Sequence, residues 1–275
     1  MQKGQTRPTS VTIIANNMTI EKLIDIVRNA SKLMLTYTFE IAQKGGYSNI
    51  VTTSDVAVQD YLCQQLADAL PGSGFLCEEA DQWDTSHEYT WVIDPIDGTA
   101  NYSRGIDHCC VCVGLKQHDR MQMAVVYLPR TDELFHAERG KGAYLNGRRI
   151  HVSDRPFENS LLCTALPVYH KEYAEVCSDI IKDTFLQIND LRRFGSAATE
   201  LCYLAMGRCE LYFEYLLSPW DFAAASLILE EAGGVLSDLS ALPLNYIHGS
   251  GVLAANTPDN LNRLQAIVAH HTQAQ

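Results

Sequence analysis

The chain has no apolar run approaching the roughly 20 residues that a membrane helix needs, so no spanning helix is expected. Between Met1 and Asn17 the longest apolar stretch is Val11 to Ala15. That is too short for the core of a secretory signal, and a cytoplasmic protein is the expectation. Internal repeats, low-complexity tracts and Pro/Ser-rich linkers are absent, which speaks against a solenoid or a string of tethered modules. Positive charge is scarce: 21 Lys and Arg stand against 33 Asp and Glu, a formal net charge of −12. A nucleic-acid partner is therefore not expected, because such binding needs a basic face. Nine cysteines fall short of a disulfide scaffold in a chain of 275 residues. Cys109 and Cys112 make one CxxC spacing beside His108, but no second pair follows and a tetrahedral site needs four ligands. Reduced core thiols are expected.

What is present is ordinary globular composition, 47% hydrophobic and 20% charged. It suits one domain over 1–275, built from closely packed halves at 1–150 and 151–275. An amphipathic stripe of Ile20, Leu23, Ile24, Val27, Met34 and Leu35 predicts a first helix from about Thr19 to Lys44, stopped by Gly45-Gly46. A second helix is predicted from Ser54 to Leu70, ended by Pro71-Gly72. Strands are predicted at Phe75 to Cys77, Thr90 to Ile93, Cys109 to Lys116, Met121 to Tyr127 and Glu133 to Ala137. Asn146-Gly147 marks a tight hairpin within Ala143 to Ile150. Beyond His151 the pattern mixes strands at Leu161 to Leu166, Glu210 to Glu214 and Val252 to Ala255 with helices. These are expected near His170 to Ile181, Ser196 to Met206, Pro219 to Ala232 and in the tail. The fold class is α/β, or α+β, with hairpins layered against helices.

The most informative stretch runs Trp91-Val-Ile-Asp94-Pro-Ile-Asp97-Gly98-Thr99. An apolar strand ends in two carboxylates flanking Pro95, whose fixed backbone angle holds Asp94 and Asp97 close on a turn. Two nearby carboxylates repel unless a cation lies between them. Oxygen-only ligands, with the Ile96 carbonyl available as a third, suit Mg²⁺ rather than zinc. Gly98 lets backbone N–H groups approach an anion, and Thr99 adds a hydroxyl. Further carboxylates sit at Glu78-Glu79 after a strand, at Asp55 opening the second helix, and at Asp221 opening the helix after Trp220. Singly, Asp55 and Asp221 also read as acids favoured by a helix dipole, and Glu79 as surface charge.

Together these motifs resemble the inositol monophosphatase-like, lithium-sensitive phosphatases. Trp91 to Tyr102 is similar to their first signature and Trp220 to Gly234 to their second. Asn49 to Asp55, Phe75 to Glu79 and Gly142 to Ile150 extend the resemblance, in order, over nearly the whole chain. The resemblance implies a layered αβαβα sandwich and hydrolysis of a phosphate monoester by metal-activated water. It implies that Glu78, Asp94 and the Ile96 carbonyl hold one Mg²⁺, and Asp94, Asp97 and Asp221 a second. A third, weaker ion would sit near Glu78, and Mn²⁺ would substitute. Asp55 and Thr99 would orient the attacking water with Glu78 beside them, and the N–H groups of Gly98 and Thr99 would bind phosphate. Asp97, Ala197 and Glu214 would contact the substrate alcohol. Lys44 matches a lysine near the metals, or equally a helix-end charge. A homodimer is also implied. Metal-loaded carboxylates reconcile a strongly acidic chain with a phosphate substrate.

Inositol monophosphate or a similar polyol phosphate is the leading substrate class, because Glu214 can accept hydrogen bonds from sugar-like hydroxyls. Fructose 1,6-bisphosphate, 3′-phosphoadenosine 5′-phosphate and NADP are the alternatives, with Arg104, Arg192 and Arg193 as candidate contacts for a further phosphate. Departures from the family pattern fall around the alcohol side: Cys77 where many relatives have glycine, the polar run Arg104 to His108, Leu166 to His170, and Tyr215 to Pro219. A regulatory protein retaining the fold without turnover is the reading from another class.

Overall fold

The computed structural model describes residues 18–36, 40–43, 50–80 and 82–272. Helices α1 (Ile20–Thr36) and α2 (Thr53–Ala69) flank two short antiparallel strands, β1 (Ile41–Gln43) and β2 (Ile50–Thr52). Helix α1 thus stops well before the expected end at Lys44. By Ile41 the chain is a strand, which suits that residue's β-branched side chain. Ile41 pairs with Thr52. Lys44, Gly45, Gly46 and Asn49 lie outside the described residues.

A seven-stranded sheet follows. Its strands are β3 (Gly74–Cys77), β4 (Tyr89–Asp97), β5 (Cys110–Gln117), β6 (Arg120–Leu128), β7 (Glu133–Glu138), β8 (Gly142–Leu145) and β9 (Arg148–Ile150), adjacent in chain order. Only β3 and β4 run parallel; the other pairs are antiparallel. Asn146 and Gly147 turn the β8–β9 hairpin with φ of 48 and 76, the paired left-handed angles that the Asn-Gly signal predicts. The short helix α3 (Thr99–Tyr102) leaves the end of β4.

The remaining elements are β10 (Leu161–Thr164), α4 (Ala174–Phe185), β11 (Asp190–Arg192), α5 (Ala197–Ala205), β12 (Leu211–Leu217), α6 (Pro219–Glu231), β13 (Val235–Ser237), β14 (Ser250–Ala255) and α7 (Pro258–Thr272). A 3-10 turn at Lys171–Tyr173 stands where α4 was expected to begin. The second sheet has the order β11-β10-β12-β14-β13 and mixes parallel with antiparallel pairs.

Alternation along the strands sorts the core into layers. Trp91, Ile93, Val111, Val113 and Val125 face α1 and α2, packing with Leu23, Val27, Val58, Leu62 and Leu66. Val92, Cys110, Cys112, Ala124 and Val126 face the other way, onto α5 and α6. Tyr212, Val252 and Ala254 of the second sheet close over the same two helices. Leu211, Phe213, Leu253 and Ala255 turn outward to α4 and α7. The order is helix pair, sheet, helix pair, sheet, helix pair, the αβαβα sandwich. Helix α6 is apolar nearly all round because it is covered on both sides. No helix among the described residues is long and apolar enough to cross a membrane.

The same alternation disposes of the CxxC spacing. Cys109 belongs to the outer cluster and Cys112 to the inner one, on opposite faces of the sheet, so they cannot share an ion. All nine cysteines are free thiols.

Candidate active site

Asp94 and Asp97 were expected on a turn beyond a strand ending near Ile93; β4 instead runs on through both. Asp94 pairs with Cys112 and Asp97 with Cys110, so three residues of β4 step past two of β5. This bulge accommodates Pro95, which has no N–H for a ladder. It also restores the face: Cys110 and Cys112 are two apart and share one side, so both aspartates emerge toward α5 and α6. Asp94 is 1% exposed and Asp97 8%. The Ile96 N–H donates to Asp94 Oδ1 at 2.9 Å. Gly98 then takes the left-handed conformation that starts α3.

Asp97 is anchored from the far side. Its Oδ2 accepts from Ser196 Oγ at 2.7 Å and from the Ala198 N–H at 2.8 Å, at the start of α5. Cys110 Sγ lies 3.7 Å from the same oxygen. Ala197, predicted to meet substrate, is the first residue of α5 and lies at this junction. Asp221 occupies the first turn of α6, where its Oδ2 accepts from the Ser218 N–H at 2.8 Å. Pro219 opens that helix with no N–H to lose. Glu78 follows β3, its N–H bonded to the Ile93 carbonyl at 3.2 Å.

The electrostatics show these acids to be one group. Burial, then the Glu78, Asp97 and Asp221 carboxylates, push the Asp94 carboxyl well above its usual range. Burial, then Asp97 and Glu78, do the same to Asp221. Burial raises Asp97 too, partly offset by its Ser196 and Ala198 bonds. Three carboxyl groups that resist losing their protons, with the Glu78 carboxylate acting on two of them, converge with oxygen donors; they fit a hard dication, which would let them ionise together. The compact trio Asp97, Cys110 and Cys112 is a poorer host. Burial and Cys110 hold the Cys112 thiol far above its normal range, so it stays protonated.

Asp55 is fully buried at the first turn of α2. Its Oδ2 accepts from the Thr52 N–H at 2.7 Å and from the Thr52 hydroxyl. Its Oδ1 faces Thr99 Oγ1 at 3.2 Å, and that hydroxyl also lies 3.0 Å from the Ile96 carbonyl. Asp55, Thr99 and Ile96 are therefore one connected unit beside the acid cluster. Glu214 sits on β12 with Tyr212 Oη donating at 2.8 Å. Burial, and the Asp97 charge beyond it, lift its carboxyl to about 7.

Several neighbours escaped the sequence reading. Ser196 fixes Asp97, yet sits in an unremarkable Gly-Ser-Ala-Ala run. Asn101, inside the first signature, donates to the Phe194 and His108 carbonyls at 2.7 Å each, tying α3 to the approach to α5. Glu200 accepts from the Phe194 and Gly195 N–H groups at 2.6 and 3.0 Å, while its second oxygen is buried without a partner. Tyr169, in the Leu166 to His170 segment already placed near the alcohol side, is 61% exposed and stands at the rim of the acid cluster: partial desolvation, then Glu78, Asp221, Asp94 and Asp97, raise its phenol to about 12. Trp83 stacks edge-on against Trp220 at 5.6 Å, next to Asp221. Of the arginines considered for a further phosphate, Arg192 pairs with Asp190 and Arg104 bonds the Ala100 carbonyl. Arg193 acts on Glu214, lowering its pKa against the effect of burial.

Residues 8–273 match the sequence profile of the inositol monophosphatase family. The chain belongs to that family. It is 38% identical over 219 residues to the Nus factor SuhB of Escherichia coli K12, covering 79% of this chain and 81% of that one. The Vibrio cholerae Nus factor SuhB is 35% identical over 246 residues, 89% and 88% of the two chains. Among solved structures, inositol monophosphatase from Anabaena superposes with a TM-score of 0.79 at 30% identity, over 95% of this chain and 97% of that one. Family membership accounts for the arrangement described: both signatures deliver carboxylates to the boundary between the first sheet and the α5–α6 layer.

Proposed function

We propose that the chain is a cytoplasmic, Mg²⁺-dependent phosphatase that hydrolyses a small-molecule phosphate monoester, inositol monophosphate or a similar polyol phosphate. The observation that carries this reading is the mutual electrostatic coupling of Asp94, Asp97, Asp221 and Glu78 beside the Asp55–Thr99 pair. Glu78, Asp94 and the Ile96 carbonyl would hold one ion and Asp94, Asp97 and Asp221 another. Bound Mg²⁺ or Mn²⁺ supplies positive charge to the phosphate and makes water more acidic.

The protein's own groups position the reactants, which is most of the catalytic work in phosphoryl transfer. Thr99 has one hydroxyl proton and two acceptors facing it, Asp55 Oδ1 and the Ile96 carbonyl. Its lone pairs remain to accept a hydrogen bond from the attacking water. Burial raises the Asp55 carboxyl, so it is a stronger base than a solvated aspartate and can take a proton passed through Thr99. The first N–H groups of α3, at Gly98 and Thr99, have no partners within their helix and would hold phosphate oxygens. Glu214 and Asp97 would bind the alcohol, with Ala197 lining it; near its pKa of about 7, Glu214 both donates and accepts.

Phosphate release should be measured with and without Mg²⁺ on inositol 1-phosphate, fructose 1,6-bisphosphate, 3′-phosphoadenosine 5′-phosphate and NADP. We expect Mg²⁺-dependent release, fastest on the inositol ester. Asp94→Asn should abolish it, and Thr99→Ala should slow it by about 10²–10⁴-fold, the usual range for losing proton-transfer assistance. No release from any ester by folded, metal-loaded protein would sink the proposal.

The name Nus factor carried by relatives at 35–38% identity favours a second reading, a binding role alongside turnover. A partner retained from cell extract by wild type and Asp94→Asn alike would support it. We further propose a homodimer and inhibition by lithium, both implied by the family resemblance.

A further inference from the structure

Cys77 immediately precedes Glu78, and its Sγ lies 3.6 Å from Cys63 Sγ. Cys63 stands on α2 one turn after Gln59, whose side-chain oxygen accepts the Glu79 N–H at 2.9 Å. Residues four apart share a helix face, so one face of α2 grips the Cys77–Glu79 turn at two points. The turn is also tied from the other side, where Trp83 Nε1 and the Ala80 N–H donate to the Cys77 carbonyl at 2.9 and 3.4 Å. Cys63 is half-buried while Cys77 is 1% exposed, so a solute meets Cys63 first. The hydrogen bond shared with the Cys77 thiol holds the Cys63 thiol below its ordinary range, favouring the thiolate that oxidants attack. The equally close pair Cys110 and Cys112 is wholly buried and lacks that access.

We propose that Cys63 and Cys77 are a redox pair that peroxide closes to a disulfide, disturbing Glu78 and with it the site's hold on divalent cations. The Cys63 thiolate attacks one oxygen of hydrogen peroxide; the O–O bond breaks, giving a sulfenic acid at Cys63 and hydroxide. The Cys77 sulfur then attacks the Cys63 sulfur. The S–S bond forms, the S–O bond breaks, and the hydroxyl leaves with the Cys77 proton as water. The two sulfurs together lose two electrons and the peroxide gains them. Closing the gap to the disulfide length of about 2 Å moves the sulfurs roughly 1.6 Å together. Glu78, next in the chain after Cys77, shares that displacement. The effect on cations rests on reading Glu78 as a ligand; the cross-link does not.

Full-length protein should be treated with graded hydrogen peroxide, digested without reduction and mapped by mass spectrometry, and melted with and without Mg²⁺. A peptide joining residues 63 and 77, lighter by two thiol hydrogens, is expected, and the Mg²⁺-dependent rise in melting temperature should disappear with it. Dithiothreitol should restore both. Cys63→Ser should keep the Mg²⁺ response through the same treatment, and Cys77→Gly should stop at an oxidised, unlinked Cys63. Sulfinic acid at Cys63 in wild type, or a bridge between other cysteines, would overturn the pairing. A 63–77 bridge with the Mg²⁺ response intact would overturn the regulation and leave the metal site standing. A reduced protein that does not respond to Mg²⁺ at all would defeat the metal site and the regulation together.

Discussion

At Gly98, with φ of +85, a Cβ would stand 2.9 Å from the His108 carbonyl oxygen and 3.2 Å from that of Gly195. The left-handed backbone alone costs an L-residue about 1–2 kcal/mol, and both close neighbours are main chain that cannot swing aside. Gly98→Ala should therefore lose at least that much stability in urea denaturation, together with phosphate release. Glu200 makes the opposite kind of prediction. Burial, then Glu214, raise its carboxyl from the ordinary 4.5 to about 8. The folded state thus binds this proton more tightly than the unfolded chain does. The stability this contributes is whole below pH 4.5 and is lost as pH rises through about 8. Glu200→Gln keeps the acceptor for Phe194 and Gly195 and removes the ionisation. Its melting temperature should fall less than wild type's between pH 5 and 8. The sequence places Glu200 on the right helix, but the spacing Thr-Glu-Leu-Cys says nothing of its carboxylate folding back over residues 194 and 195. The clustering of Asp94, Asp97 and Asp221 was legible because chain-local features mark each of them: a strand end, a proline between two aspartates, a helix first turn.

Helix α5 shows how an element is fixed by its ends. Ser196 caps it, accepting from the Thr199 N–H at 3.4 Å, and the same hydroxyl donates to Asp97. Ser196→Ala should cost about 0.5–2 kcal/mol as a lost cap. It should also weaken Mg²⁺ binding about 10–100-fold, the usual effect of removing a group that orients a ligand; calorimetric titration would separate the two. The long elements, α2, β4 to β7 and α6, follow from their apolar periodicity and breakers. Of the five three-residue strands, β9 was legible through its Asn-Gly turn, but β1, β2, β11 and β13 were not, since so short a segment shows no period and forms only because an edge is there to pair with. The extension of β4 through Pro95 was likewise hidden. Proline reads as a stop until the partner strand supplies two residues against three.

Across the whole molecule, α5 and α6 lie between the two sheets and their core draws on both, with Val92, Phe135 and Ala137 from one and Tyr212 and Val252 from the other. We propose that residues 1–150 and 151–275 unfold as one unit. Differential scanning calorimetry should then show a single transition whose calorimetric and van't Hoff enthalpies agree. Two resolved transitions would mean separable halves. The layered class was readable from the order of hairpins and helices. Which faces meet was not, because that is decided by contacts between residues about a hundred apart, such as Ser196 with Asp97. That contact has an outcome of its own. One oxygen of Asp97 is spoken for by the Ser196 hydroxyl and the Ala198 amide, so any charge that draws on Asp97 from the site pulls against α5's first turn. The Ala198 amide proton, buried inside the sandwich, thereby becomes a reporter: its exchange with deuterated solvent registers whether the carboxylates beyond it are loaded.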